Sequence, residues 1–142
     1  QAAMGFVQID KLPQFVEARK SNFKKYYKAF EDFQDYFILP RAIEGADPCW
    51  FAFPITLNTS KFSRFDIQNF LEQNQIETRL VFAGNVSRQP AYKNSKMKIV
   101  GELKNSDKVM SDTFFIGVYP GLTDEKINYV LSKFEEFLKK HK

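Results

Sequence analysis

The residues with most to offer a ligand are gathered in one polar, turn-rich stretch, Phe82-Ala83-Gly84-Asn85-Val86-Ser87-Arg88-Gln89-Pro90-Ala91-Tyr92, with Arg79 just before it. Arg79 and Arg88 can each clamp a phosphate or a carboxylate through two parallel hydrogen bonds. Asn85 and Gln89 carry both donors and acceptors and suit sugar hydroxyls. Phe82, Tyr92 and Trp50 add flat apolar faces. A competing account needs no ligand: Arg88 pairs with a surface carboxylate and Asn85 allows a tight turn. Spacing alone leaves both accounts open.

Groups for self-sufficient catalysis do not stand out. His141 is the only histidine and lies one residue from the end of the sequence, where fraying is expected. Cys49 is the only cysteine, which excludes an internal disulfide and a multi-cysteine iron–sulfur site within these residues. Without a second histidine or cysteine there is no standard zinc site. Gly84, Gly101 and Gly121 match neither a phosphate-cradling loop nor a dinucleotide fingerprint. Glu135 and Glu136 are adjacent on a predicted helix and point in different directions. No catalytic residue and no metal ligand is assigned.

The elements that must position the loop follow from periodicity. Gln1 to Leu12 reads as a helix with Ala2, Ala3, Phe6, Val7 and Ile9, and its start without a cap or an initiating Met suggests a cut from a longer chain. Pro13 suits the first turn of a second helix, along which Phe15, Val16, Phe23, Tyr26, Tyr27 and Phe30 recur at helical spacing to about Phe33. Ile38 to Pro48 reads as a loop. From Trp50 the period changes to two, which places Phe51, Phe53, Ile55 and Leu57 on one core-facing side of a strand. Pro54 makes that strand an edge or a bulge. Ser63 and Asp66 form a capping-box start for a helix with Ile67, Phe70 and Leu71. Strands are predicted over Glu77 to Phe82 and Thr113 to Tyr119, with a short helix over Ser106 to Met110 between them. Thr123 caps the last helix, whose buried stripe is Ile127, Val130, Leu131, Phe134 and Leu138. The order gives an α+β fold, a small, mainly antiparallel sheet with helices packed on one face.

Composition agrees with one soluble core: 142 residues, 44% hydrophobic and 27% charged, far from the signature of disorder. Sixteen Phe, six Tyr and one Trp exceed what packing requires and suggest aromatic surface awaiting a partner. The net charge of +4 comes largely from Lys24, Lys25, Lys28, Lys139, Lys140 and Lys142, helix-surface positions that read as solvated faces. Neither a nucleic-acid partner nor a membrane is expected. No apolar run reaches the roughly 18 residues that span a bilayer, no signal-peptide layout is present, and the cytoplasm is the expected compartment.

Four blocks in order then carry a resemblance: Trp50-Phe51-Ala52-Phe53-Pro54-Ile55-Thr56, Thr78-Arg79-Leu80-Val81-Phe82-Ala83-Gly84-Asn85, Ser87-Arg88-Gln89-Pro90 and Ile116-Gly117-Val118-Tyr119-Pro120-Gly121-Leu122-Thr123. Together they resemble the C-terminal part of the CDP-6-deoxy-hexulose 3-dehydrases of lipopolysaccharide sugar synthesis, in the sugar-aminotransferase-like (DegT/DnrJ/EryC1/StrS) branch of fold-type I pyridoxal-phosphate enzymes. Gln1-Ala2-Ala3-Met4-Gly5-Phe6 is similar to the end of that family's large domain. The resemblance implies that residues 1–12 end a large-domain helix, that 13–142 form the C-terminal small domain, and that the cofactor-binding large domain lies outside this chain. Sugar aminotransferases of the family usually have Pro-Leu-His-x-Gln-Pro where this chain has Asn85-Val86-Ser87-Arg88-Gln89-Pro90, and this departure favours the dehydrase subgroup.

The dehydrases hold pyridoxamine phosphate, form an imine with a 4-keto sugar and expel its C3 hydroxyl, the pyridine ring acting as electron sink. Their cofactor-facing residue, phosphate cup and [2Fe-2S] cysteines are expected upstream. The resemblance thus implies a nucleotide-sugar substrate, a homodimer and a flavin or iron–sulfur reductase partner for the whole protein, with this portion inactive alone. Arg79, Phe82, Asn85 and Arg88 are its expected substrate-binding residues. The rival readings are an aminotransferase of the same family and a small RNA-binding α+β module, although Thr113 to Tyr119 lacks the basic-Gly-aromatic-Gly opening of such modules.

Overall fold

Large apolar side chains at helical spacing across the second half of the first thirty residues give α1 (Ala2–Phe30) its buried face, which begins only at Asn22 and Phe23 and continues through Tyr26 and Phe30. The computed structural model describes residues 1–142. Next come a 3-10 turn (Glu31–Phe33), β1 (Phe37–Ile38), β2 (Ala52–Leu57), α2 (Arg64–Gln73), β3 (Arg79–Leu80), α3 (Lys104–Asp112), β4 (Thr113–Gly117) and α4 (Asp124–Lys139). The strands form one antiparallel sheet in the order β1-β2-β4-β3.

Register explains the sheet's two faces. Phe53 lies opposite Ile116 and Ile55 opposite Phe114, and these four are buried. Against them pack Phe23, Tyr26 and Phe30 of α1, Ile67 and Leu71 of α2, and Val130 and Phe134 of α4. Phe30 meets Phe53 at 5.1 Å and Phe134 at 4.8 Å between ring centroids, so one aromatic cluster joins two helices to the central strand. The alternate residues, Pro54 opposite Phe115 and Thr56 opposite Thr113, face the other way. The predicted α+β layer, with an antiparallel sheet and helices on its core face, is what the structure shows.

Several boundaries differ from the sequence expectation. No break occurs at Pro13, which lies inside a single helix. The missing N–H there orphans the Ile9 carbonyl in a fully exposed stretch, where solvent can take it. Phe51 is not part of the core face but 69% exposed. The chain bends at this residue, because Arg19 of α1 donates to the Trp50 carbonyl at 3.0 and 2.8 Å and also to the Phe51 carbonyl. The predicted strand over Glu77 to Phe82 shrinks to Arg79–Leu80, since Phe82 (φ +44) and Gly84 (φ +59) turn the backbone into the left-handed region. β1 falls where a loop is expected. It reaches only Thr56 and Leu57 of β2, so Pro54 has no partner on that side and its missing donor is harmless.

Candidate functional site

The loop after β3 is held by its own side chains and by α3. Asn85 is 4% exposed; its Oδ1 accepts from the Ser87 N–H at 3.1 Å and the Ser87 hydroxyl at 2.7 Å, which starts a 3-10 turn over Val86–Arg88. Its Nδ2 donates to Asp107 Oδ1 at 2.6 Å. Arg88 meets the same carboxylate as a fork, Nε to Oδ1 at 3.1 Å and Nη2 to Oδ2 at 3.0 Å. Gln89 donates back to the Ala83 carbonyl at 2.6 Å. Gly84 sits so close to α3 that a Cβ there would lie 2.5 Å from Met110 Cβ. The guanidinium of Arg88, and after it the Asn85 amide, hold the Asp107 carboxyl below the ordinary carboxylate range, and Asp107 raises Arg88 in turn. Asp107 also stands in the first turn of α3, where a negative charge is favoured.

Beside this anchored loop lies an aromatic surface on the sheet's outer face. Phe82 is 82% exposed and stacks on Phe51 at 6.5 Å, and Phe51 meets the edge of Phe115 at 5.8 Å. Arg79 pairs with Phe115 across β3 and β4 and therefore shares that face. Its guanidinium is engaged by Glu77 Oε1 at 2.9 and 2.6 Å, and both side chains are largely exposed.

The four residues singled out from sequence thus fall into two groups. Asn85 and Arg88 converge on Asp107, whereas Arg79 and Phe82 are joined only through the Phe51–Phe115 surface. The ion pair and the turn required by the ligand-free account are both present. Of the other aromatics considered, Tyr92 is exposed, whereas Trp50 stacks on Phe23 at 4.3 Å and belongs to the core margin. Asp107, Met110 and Phe115 are the residues that sequence reasoning missed. No local spacing links Arg88 to a carboxylate 19 positions later.

No group of histidine, cysteine or carboxylate side chains is arranged to hold a metal ion, and Cys49 is exposed. His141 Nδ1 donates to the Phe137 carbonyl at 2.9 Å, and its ring stacks on that of Phe137. All lysines are exposed or half-buried. None is enclosed as a cofactor-linked lysine would be. No helix is long and apolar enough to cross a membrane.

Comparison with known proteins places this geometry in context. A model of the DegT/DnrJ/EryC1/StrS aminotransferase family matches residues 1–135. The lipopolysaccharide biosynthesis protein RfbH of Salmonella typhimurium is 49% identical over 96% of this chain and 32% of its own length. The dTDP-4-dehydro-2,6-dideoxy-D-glucose 3-dehydratase of Saccharopolyspora spinosa is 40% identical over 99% of the chain and 30% of its own length. The chain therefore spans about a third of the curated relatives it matches. Among solved structures, the GDP-4-keto-6-deoxy-D-mannose-3-dehydratase of E. coli with bound hydrated PLP superposes with a TM-score of 0.81 at 22% identity, covering 92% of this chain and 33% of that one. An aminotransferase from Psychrobacter cryohalolentis gives 0.86 at 16% identity, covering 99% and 38%. These two likenesses concern the fold.

Proposed function

Because the chain belongs to the DegT/DnrJ/EryC1/StrS aminotransferase family, we propose that it is the C-terminal small domain of a pyridoxal-phosphate-dependent 3-dehydrase acting on a nucleotide-linked 4-keto-6-deoxyhexose in lipopolysaccharide sugar synthesis. The observation that carries the reading is the 49% identity, across nearly the whole chain, to a lipopolysaccharide biosynthesis protein. Identity of 40% to a nucleotide-sugar 3-dehydratase supports the reaction class. When bound, the cofactor supplies an electron sink for loss of the C3 hydroxyl. In this proposal it is held outside these residues, as would be any [2Fe-2S] cluster, and the whole protein works as a cytoplasmic homodimer fed by a flavin or iron–sulfur reductase.

The part of this chain is to close one side of the substrate site. Arg88, oriented by Asp107, keeps three of its five N–H donors for a phosphate or carboxylate. Exposed Phe82 offers a flat face, Arg79 adds a second cation on the same sheet face, and Asn85 shapes the turn from within. An aminotransferase of the same family is the alternative, and the residue facing the cofactor in the complete protein separates the two.

The test is steady-state kinetics of the complete enzyme carrying Arg79→Ala or Arg88→Ala. Loss of a charge-assisted contact to substrate should lower kcat/KM roughly 10- to 100-fold while the melting temperature barely moves. Unchanged kcat/KM with a lower melting temperature would make both arginines structural.

A further inference from the structure

A cleft of about 470 Å³ opens between the end of β4 and the first half of α4 and is lined by Tyr26, Arg79, Phe115, Tyr119, Lys126 and Tyr129, among others. Its volume falls within the roughly 300–1,000 Å³ usual for small-molecule sites, and its walls are mostly apolar with a few polar groups. At its floor is Tyr26, only 1% exposed. Buried tyrosine hydroxyls ordinarily have a hydrogen-bond partner, yet none of the side-chain hydrogen bonds that fix this region involves the Tyr26 hydroxyl. No fully enclosed side-chain polar atom is left unpaired in the molecule, so this hydroxyl keeps some opening, and Tyr26 is one of the residues that line the cleft. One turn earlier, Asn22 donates to the Tyr119 carbonyl at 2.9 Å and fixes the wall beside it. Exposed Arg79 and Lys126 stand at the rim. Arg79 is paired with Glu77, whereas Lys126 is absent from the ion pairs of the fold.

We infer that this cleft is a ligand site for a small aromatic anion, its phosphate or carboxylate at Lys126 and Arg79, its ring against Phe115 and Tyr119, and an oxygen at its far end accepting from the Tyr26 hydroxyl. Burial, and then the neighbouring Tyr119 phenol, push Tyr26 far above the ordinary tyrosine range, so the hydroxyl is a standing donor at any physiological pH. The inference goes beyond the proposed dehydration and shares only Arg79 with the surface proposed there for the substrate; it needs neither a cofactor nor a residue outside this chain, and Tyr26 and Lys126, which its test varies, have no part in that surface.

Amide chemical shifts of the chain, titrated with three probes, test it. 4-Nitrophenyl phosphate has a ring, an anion and a far-end acceptor. It should give saturable shifts at Gly117, Lys126 and neighbours. Phenyl phosphate, lacking the acceptor, should bind roughly 3- to 10-fold more weakly, and inorganic phosphate should shift these amides little. Tyr26→Phe should reduce 4-nitrophenyl phosphate to the phenyl phosphate affinity without lowering the melting temperature, because it removes a hydroxyl the fold leaves unpaired. Lys126→Ala should weaken both aromatic phosphates alike. No saturable shift at millimolar probe would overturn the inference. So would a Tyr26→Phe variant that melts several degrees lower and binds unchanged, or inorganic phosphate that binds as well as the aromatic probes.

Discussion

Asp107 decides what Arg88 can do. With Nε and Nη2 committed to the two carboxylate oxygens, the guanidinium has one orientation, and its remaining donors point where the fork leaves them. The same carboxylate holds Asn85, so a single side chain on α3 organises the turn over Val86–Arg88. Since the folded protein depresses the Asp107 pKa, its contribution is fully present above the ordinary carboxyl value and is lost as pH falls through the lower folded value. Amide exchange over residues 83–92 should therefore be insensitive to the state of this pair at neutral pH and show a loss of protection only below about pH 4. Asp107→Asn should remove that acid step and leave the loop less protected at pH 7. A loop equally protected in both forms would show that the carboxylate does not hold it. Gly84→Ala is expected to be the most damaging single change in the loop. It combines a left-handed backbone with a collision at Met110, and a loss of about 1–3 kcal/mol should appear in denaturant melts.

At the scale of elements, what the sequence made legible is what neighbouring residues decide among themselves. Ser63 and Asp66 form the capping box expected of them: the Ser63 N–H donates to Asp66 Oδ2 at 2.8 Å and the Asp66 N–H to Ser63 Oγ at 3.2 Å. Thr123 accepts from the Lys126 N–H at the start of α4, and the buried stripe of that helix follows its spacing, with Leu131 only partly covered. Ser63→Ala should cost about 1 kcal/mol, read from the urea midpoint, and no measurable loss would mean that Asp66 alone suffices as a cap. The misread parts depend on residues far apart in the chain. Phe51 leaves the core face because an arginine 31 residues earlier takes its neighbour's carbonyl. Two-residue β1 exists only because β2 lies alongside it, as nothing in Phe37-Ile38 alternates long enough to be read. Arg88 was visible as a candidate and its partner was not, since a pairing across 19 residues leaves no periodic trace.

At the scale of the whole molecule, the contrast is between the two ends of α1. From Asn22 onward the helix is part of the core, with Phe23, Tyr26 and Phe30 all touching Phe53 at centroid distances of 5.1 to 5.6 Å. Every residue from Gln1 to Phe15 is exposed, including Met4, Phe6, Val7, Ile9 and Leu12, and Phe6 reaches 72%. Those side chains wrap more than one face of the helix, so no single contact with this sheet could cover them. Their contribution to the stability of this chain must therefore be small, while their apolar surface favours association between copies. Deleting Gln1 to Asp10 removes no buried side chain and shortens a helix whose later turns are anchored by packing, so the melting temperature should change little and self-association at high concentration should decrease. Phe53→Ala empties the centre of the aromatic cluster and should cost roughly 3 to 5 kcal/mol. Melting curves of the two variants, with sedimentation of the truncated chain, decide between the alternatives: a truncation more damaging than Phe53→Ala would mean that residues 1–10 stabilise this core and that its boundary lies upstream of Pro13.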